Sequence, residues 1–429
     1  MNKIKNLIAN LLHSTAIKNG IWMYLLQFFN AVVPMLTLPY LTRVLGAEVY
    51  GVFTIALNLI MYLQVVVEYG FNLSATRKAA LRGREGLDQT FTAVLCARVI
   101  LLALSGGFII IYGVLHTDNV NAARALGILF LCLIGSCVQV NWIFQGLQEM
   151  RYISLVNITA RVISTVCVFL FVKTPDNLLL YCLLYSISPL LSGVIGVILA
   201  CRRYELKLMK ISWREIIEEL KDGFYVFTTE LSAKVFGAIG VTFMGVMVDW
   251  SLMDSADVGI FGSIQKLATV LQLAWLPISQ VLYPISGRRM KDGFLAGKNF
   301  VYRVRRIVLP LFAGAALFIA LISKWLVPFL FGFEYGARSY WAPPLLLWLV
   351  LAINNGFLGA HILLAGGYDL EYSKCFQIGV AITVLSNLIL IYFFHGTGAA
   401  IAPVLSEAAL GILLYRQVNK ISKLSAEDV

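Results

Sequence analysis

Between short charged clusters this chain is apolar for about 20 residues at a time, and the alternation continues almost to its end. The stretches 91–115, 122–144, 178–200 and 375–394 are the plainest. None carries a polar stripe wide enough to meet water, so they do not read as helices of a soluble core. A bilayer core about 30 Å thick is crossed by about 20 helical residues. The pattern predicts twelve spans, at about 21–42, 47–70, 89–113, 122–144, 153–173, 178–200, 222–248, 258–283, 304–330, 341–365, 375–395 and 398–416. The last two are separated by Gly396 and Thr397, which predicts a tight hairpin. Residues 1–20 alternate Ile4, Leu7, Ile8, Leu11 and Leu12 with Lys3, Lys5 and Lys18. That is an amphipathic helix on the membrane surface, not a cleavable signal.

Composition agrees with this reading: 59% of the 429 residues are hydrophobic and 13% charged, against about 25% charged in soluble domains. The seven cysteines include no CxxC pair, so they suggest neither a disulfide framework nor a zinc site. No Walker A motif, Gly-rich phosphate cradle or loop carboxylate pair occurs, so neither an enzyme nor a cofactor or metal is expected.

The net charge of +11 does not indicate nucleic acid, because the basic residues sit in short loops on one side. The N-terminus, the even-numbered loops and the tail hold 25 Lys and Arg; the other loops hold five, Arg43, Arg124, Lys173, Lys324 and Arg338. This asymmetry puts both termini in the cytoplasm and requires an even number of spans.

The longest interior loop, 201–221, is charged and carries a short helical stretch. It divides the chain into an N-lobe (21–200, spans one to six) and a C-lobe (222–416, spans seven to twelve), with a cytoplasmic tail at 417–429. The lobes look related. Val49-Tyr50-Gly51-Val52-Phe53 opens span two and Asp257-Val258-Gly259-Ile260-Phe261 opens span eight, 208 residues on. Gln145 to Tyr152 closes span four and Ala365 to Tyr372 closes span ten, 220 residues on. Two matches at similar offsets predict a parallel repeat of six-helix bundles about an axis along the membrane normal.

Charged residues inside spans are costly and draw attention to function. Glu230 and Lys234 stand four apart on span seven and can pair, either as a structural tie or as part of a site. Lys266 lies about eight residues into span eight, where it either serves a site or snorkels outward. Asn58 occupies the matching place in span two, and Asn30 lies in span one. Glu68 and Glu407 complete the acids; Glu407 either pairs with a neighbour or carries a proton. Arg98 and Arg161 read as structural residues whose stems reach back to the cytoplasmic interface. His361 reads as an interhelical hydrogen-bond partner.

The stretch Asn30-Ala31-Val32-Val33-Pro34, followed by Pro39-Tyr40-Leu41-Thr42-Arg43-Val44-Leu45-Gly46-Ala47-Glu48-Val49-Tyr50-Gly51, resembles the N-terminal signature of the Wzx-type polysaccharide flippases of the MATE-like superfamily. Trp142 to Met150 resembles their second signature. The resemblance implies transfer of an undecaprenyl-diphosphate-linked oligosaccharide, an O-antigen or capsule precursor, across the bacterial inner membrane by alternating access. H+ or Na+ coupling is expected, and the polymerase and chain-length proteins of the same pathway are expected partners beside the membrane lipid. It also implies that spans one, two, seven and eight line the cavity, making Lys234, Lys266, Asn30, Arg43 and Asn58 substrate-binding candidates. Glu230, Glu407 and Glu68 are then the ion-coupling candidates. Two other readings stay open: a cation-coupled multidrug exporter of the same fold, and a membrane glycosyltransferase or polymerase.

Overall fold

The computed structural model describes residues 15–115 and 120–427. Most of the expected amphipathic N-terminal segment lies outside the described residues. Every described regular element is helical. In chain order these are α1 (Thr15–Glu68), α2 (Phe71–Arg82), α3 (Leu87–Leu115), α4 (Val120–Val138) and α5 (Asn141–Gly146). Then come α6 (Met150–Phe171), α7 (Leu178–Tyr204), α8 (Trp213–Asp249), α9 (Ser255–Lys291) and α10 (Phe294–Phe331). A 3-10 segment (Phe333–Trp341) leads into α11 (Ala342–Leu358), which relaxes into a π-helical turn (Gly359–Leu364); α12 (Asp369–Glu427) ends the chain.

Ten helical stretches are long and apolar enough to cross a membrane. The first and last contain 63 and 57 residues, and a straight helix of 60 residues would measure about 90 Å, three bilayer cores. The first runs through a turn at Tyr69 and Gly70 between α1 and α2, and α1 and α12 each contain one residue outside helical geometry. In α1 it is Gly46, at φ 77° and ψ 167°, a conformation open to glycine and strained for other residues. The freed N–H of Ala47 is capped by Glu334 Oε1 at 2.7 Å. In α12 the break falls on His395, at φ 52° and ψ −132°, while Gly396 and Thr397 are helical. The hairpin expected at Gly396 and Thr397 therefore turns one residue earlier.

The fourth span also departs from expectation. The sequence pattern predicts a continuous span over 122–144, but α4 stops at Val138 and α5 starts at Asn141. The short α5 is anchored by Trp142, Ile143 and Phe144, all at most 1% exposed.

The chain divides into two compact units. The first comprises the residues up to Thr37 and Ile55–Ala233. It includes the start of α8 because Lys78 of α2 bridges Glu219 and Asp222, each at 2.8 Å. Between α5 and α6, Glu149 accepts from Arg203 Nε (2.6 Å), Arg203 Nη2 (2.8 Å) and Tyr204 Oη (2.8 Å) at the end of α7.

The second unit comprises Leu38–Thr54 and the chain from Lys234 onward. Its tightest backbone approach joins the two motifs read as repeats. A Cβ on Gly51 would lie 1.8 Å from the Ser255 carbonyl oxygen, and one on Gly259 would lie 2.2 Å from that of Ala47. The offset of 208 residues carries 47 to 255 and 51 to 259, so the contact is reciprocal.

Two predictions follow from this packing. Gly51→Ala should destabilise the protein by about 1–3 kcal/mol or more through overpacking against backbone. Gly107→Ala, with nothing within 4 Å, should be neutral or slightly stabilising. Thermal unfolding in detergent compares the two; equal midpoints would contradict the close contact. The second concerns pH. The Arg203 guanidinium, first, and the Tyr204 hydroxyl hold the Glu149 carboxyl below its ordinary value. A carboxyl lowered by folding stabilises the fold at neutral pH, and this contribution is lost as pH falls through its lowered value. The stability gap between wild type and Glu149→Gln should therefore be open at pH 7 and close only below about pH 4.

Candidate functional site

In the first unit a chain of polar side chains runs through apolar surroundings. Glu68, on the last turn of α1, accepts from Gln64 Nε2 at 2.7 Å and Asn72 Nδ2 at 2.9 Å. Asn72 Oδ1 in turn accepts from Arg98 Nη2 at 3.0 Å. Arg98 Nη1 donates to the carbonyls of Ser136 (3.3 Å) and Gln139 (2.5 Å). Gln139 Nε2 continues to Asn157 Oδ1 and Ser192 Oγ, both at 3.4 Å.

Arg98 was expected to reach back to the interface. It is instead 1% exposed. The break after α4 is the physical reason. Carbonyls at a helix C-terminus have no partner within the helix, and in hydrocarbon no water replaces it. A cation at that end supplies donors and complements the helix dipole. The polar insertion at Ser136, Gln139 and Asn141 was the signal available in the sequence.

Glu230 and Lys234 were expected to pair along α8. Among the described residues no ion pair joins them, and the division into compact units falls between Ala233 and Lys234. The acid is grouped with the first unit, where it lies within electrostatic range of Glu68. The base is grouped with the second, within range of Lys266 on α9. Each group's electrostatic neighbour thus carries its own sign: an acid beside an acid in one unit, a base beside a base in the other. Neither lysine makes a hydrogen bond or ion pair among the described residues. Lys234 is half-buried and Lys266 exposed at the surface of its unit.

The remaining candidates are placed elsewhere. Asn30 is exposed and Asn58 half-buried, both on α1 in the first unit. In the second unit, Arg43 donates to the Phe329 carbonyl at the end of α10. Glu407 is 5% exposed and accepts from Asn355 Nδ2 at 2.6 Å, tying α12 to α11. His361 makes the interhelical bond expected of it, Nε2 lying 3.0 Å from Ser279 Oγ. Among the described residues no three His, Cys, Asp or Glu side chains cluster as a metal site.

The described residues thus set charged side chains within helices long and apolar enough to cross a membrane. The comparisons agree. The fold matches a lipid II flippase, MurJ, in an inward closed conformation, with a TM-score of 0.73 at 12% identity, over 94% of this chain and 87% of that one. It also matches an inward-facing multidrug resistance MATE family transporter of the MOP superfamily, at 0.65 and 16%, over 92% and 99%. In sequence, the "Putative O-antigen transporter" of Escherichia coli (strain K12) is 26% identical over 418 residues, 94% of this chain and 97% of that protein. Residues 16–290 match the model of the family described as polysaccharide biosynthesis protein. The chain belongs to that family, and with it to the Wzx-type flippases that its motifs resemble.

The polar chain yields a prediction. Arg98→Leu would leave two span carbonyls and Asn72 without their donor, at a cost of about 3 kcal/mol or more. Arg98→Lys should lose less. Unfolding midpoints in mixed detergent check this; a wild-type midpoint for Arg98→Leu would contradict it.

Proposed function

We propose that the chain moves an undecaprenyl-diphosphate-linked oligosaccharide from the cytoplasmic to the periplasmic leaflet of the bacterial inner membrane. In this reading α1 and α12 each cross twice, giving twelve spans in two six-helix bundles with both termini cytoplasmic. The reciprocal contact of Gly51 and Gly259 supports a pseudo-two-fold relation between the halves, and alternating access uses such repeats.

One observation carries the proposal: Lys234 and Lys266 lie within electrostatic range of each other, and neither makes an ion pair among the described residues. Ammonium groups in an apolar span are costly alone and repel as a pair. A diphosphate removes both costs. Attraction between unit charges 4 Å apart is about 4 kcal/mol at an effective dielectric near 20. That is enough to hold a head group and little enough to release it. The same lysines disfavour the cationic cargo of a multidrug exporter. On the acidic side, Glu68 and Glu230 form the candidate coupling site, because two neighbouring carboxylates favour sharing a proton or a cation.

Replacing both lysines with alanine should abolish surface glycan while leaving the protein in the membrane. Lys234→Arg should retain part of the function, since it keeps the charge. Glycan immunoblots of complemented deletion cells provide the measurement. Normal export by the double alanine variant would refute the assignment.

A further inference from the structure

A cavity of about 350 Å³ opens within the second unit, and neither lysine lines it. It lies where α8 meets α9, where the 3-10 segment meets α11, and at the break in α12. These are the odd-numbered loops, the side poor in Lys and Arg, and therefore the extracytoplasmic end by the charge rule. Its volume falls at the lower end of the range for small-ligand sites, about 300–1,000 Å³.

The lining chemistry selects among ligands. Asp257 is neutralised by Arg338, whose Nε donates to Oδ1 at 3.0 Å. The Arg338 guanidinium also covers the Trp341 ring at 5.6 Å. Asp254 precedes α9 as its N-cap residue without a side-chain capping bond. It is exposed, and its carboxylate makes no hydrogen bond or ion pair among the described residues. The surplus charge of the cavity is thus negative, which repels a diphosphate. Free acceptor oxygens instead suit hydroxyl or ammonium donors. Tyr340 is 52% exposed and Phe394 59% exposed, and both line the cavity. An aromatic face, negative at its centre, attracts the C–H face of a sugar ring. Aromatic anchors of a membrane interface alone would need neither the concavity nor the free carboxylate.

The backbone supplies an independent observation. Two of the lining residues, Ser251 and His395, are non-glycine at φ 57° and φ 52°. His395 combines this with ψ −132°, where only glycine is comfortable, and its exposed imidazole makes no bond among the described residues. Non-glycine residues held in such conformations gather at functional sites.

We infer that this cavity is a saccharide-binding subsite, taking a neutral or amino sugar of the head group on the extracytoplasmic side. The inference rests on the flippase reading and adds that sugar and diphosphate are held by different parts of the second unit. Asp254, His395 and Tyr340 are its binding residues.

The test uses full-length protein in lipid nanodiscs and two probes. One is the lipid-free oligosaccharide released by mild acid from the host's lipid-linked pool; the other is inorganic pyrophosphate. Saturation-transfer NMR and calorimetry measure binding. Asp254→Asn and Tyr340→Ala should each weaken the oligosaccharide about tenfold, the loss of roughly one good contact, and leave pyrophosphate unchanged. His395→Gly should do the same while its unfolding midpoint stays level or rises, because glycine relieves the strained turn. That result cannot come from misfolding. Lys234→Ala should show the opposite pattern. The inference is overturned if wild type does not bind the oligosaccharide, or if Asp254→Asn and His395→Gly bind it as wild type does. Retention of surface glycan by cells lacking the protein would instead sink the flippase reading, so the two failures are distinguishable.

Discussion

A solvent that can neither donate nor accept a hydrogen bond governs this structure. In hydrocarbon, each broken turn of helix must find its partners inside the protein. Arg98 shows the consequence. The fourth span stops at Val138, and the carbonyls of Ser136 and Gln139 are taken up by a guanidinium from the third. Asn72 holds the other end of that group, and Glu68 holds Asn72. A break in one helix is thereby linked to the end of another through three side chains, Arg98, Asn72 and Glu68. The Glu334 cap on Ala47 answers the same need at the break in α1.

The same constraint sorts the charges along α8. A glutamate four residues before a lysine ordinarily pairs with it on a helix. Here the chain divides between them, so the acid has Glu68 for company and the base has Lys266. One helix thus carries an acid whose electrostatic neighbour is another acid and a base whose electrostatic neighbour is another base.

Much of this architecture was legible in the sequence. The apolar runs located the ten long helical stretches, because span length is imposed by the bilayer and not by packing. The Gly51 and Gly259 motifs were legible as a matched pair in the sequence, and in the structure the two backbones touch there. The Arg98 network was not legible. The polar insertion at 136–141 is short, and nothing local says that its donor comes from residue 98. The turn at His395 was missed because glycine is the expected residue for positive φ, and Gly396 stands beside it. A functional departure from a local rule is hidden from a reading that relies on the rule.

The signature motifs are therefore informative about the path of the chain more than about its cargo. Gly46 is a kink, Gly51 a close approach, and Arg43 donates to the Phe329 carbonyl at the far end of α10. Trp142 to Phe144 bury a half-helix. All of these are mechanical, and mechanics can be shared by carriers of different glycans. A sugar, by contrast, is read by exposed side chains that can vary without cost to the fold. Asp254 and Tyr340 are exposed, lie outside both motifs and meet that condition.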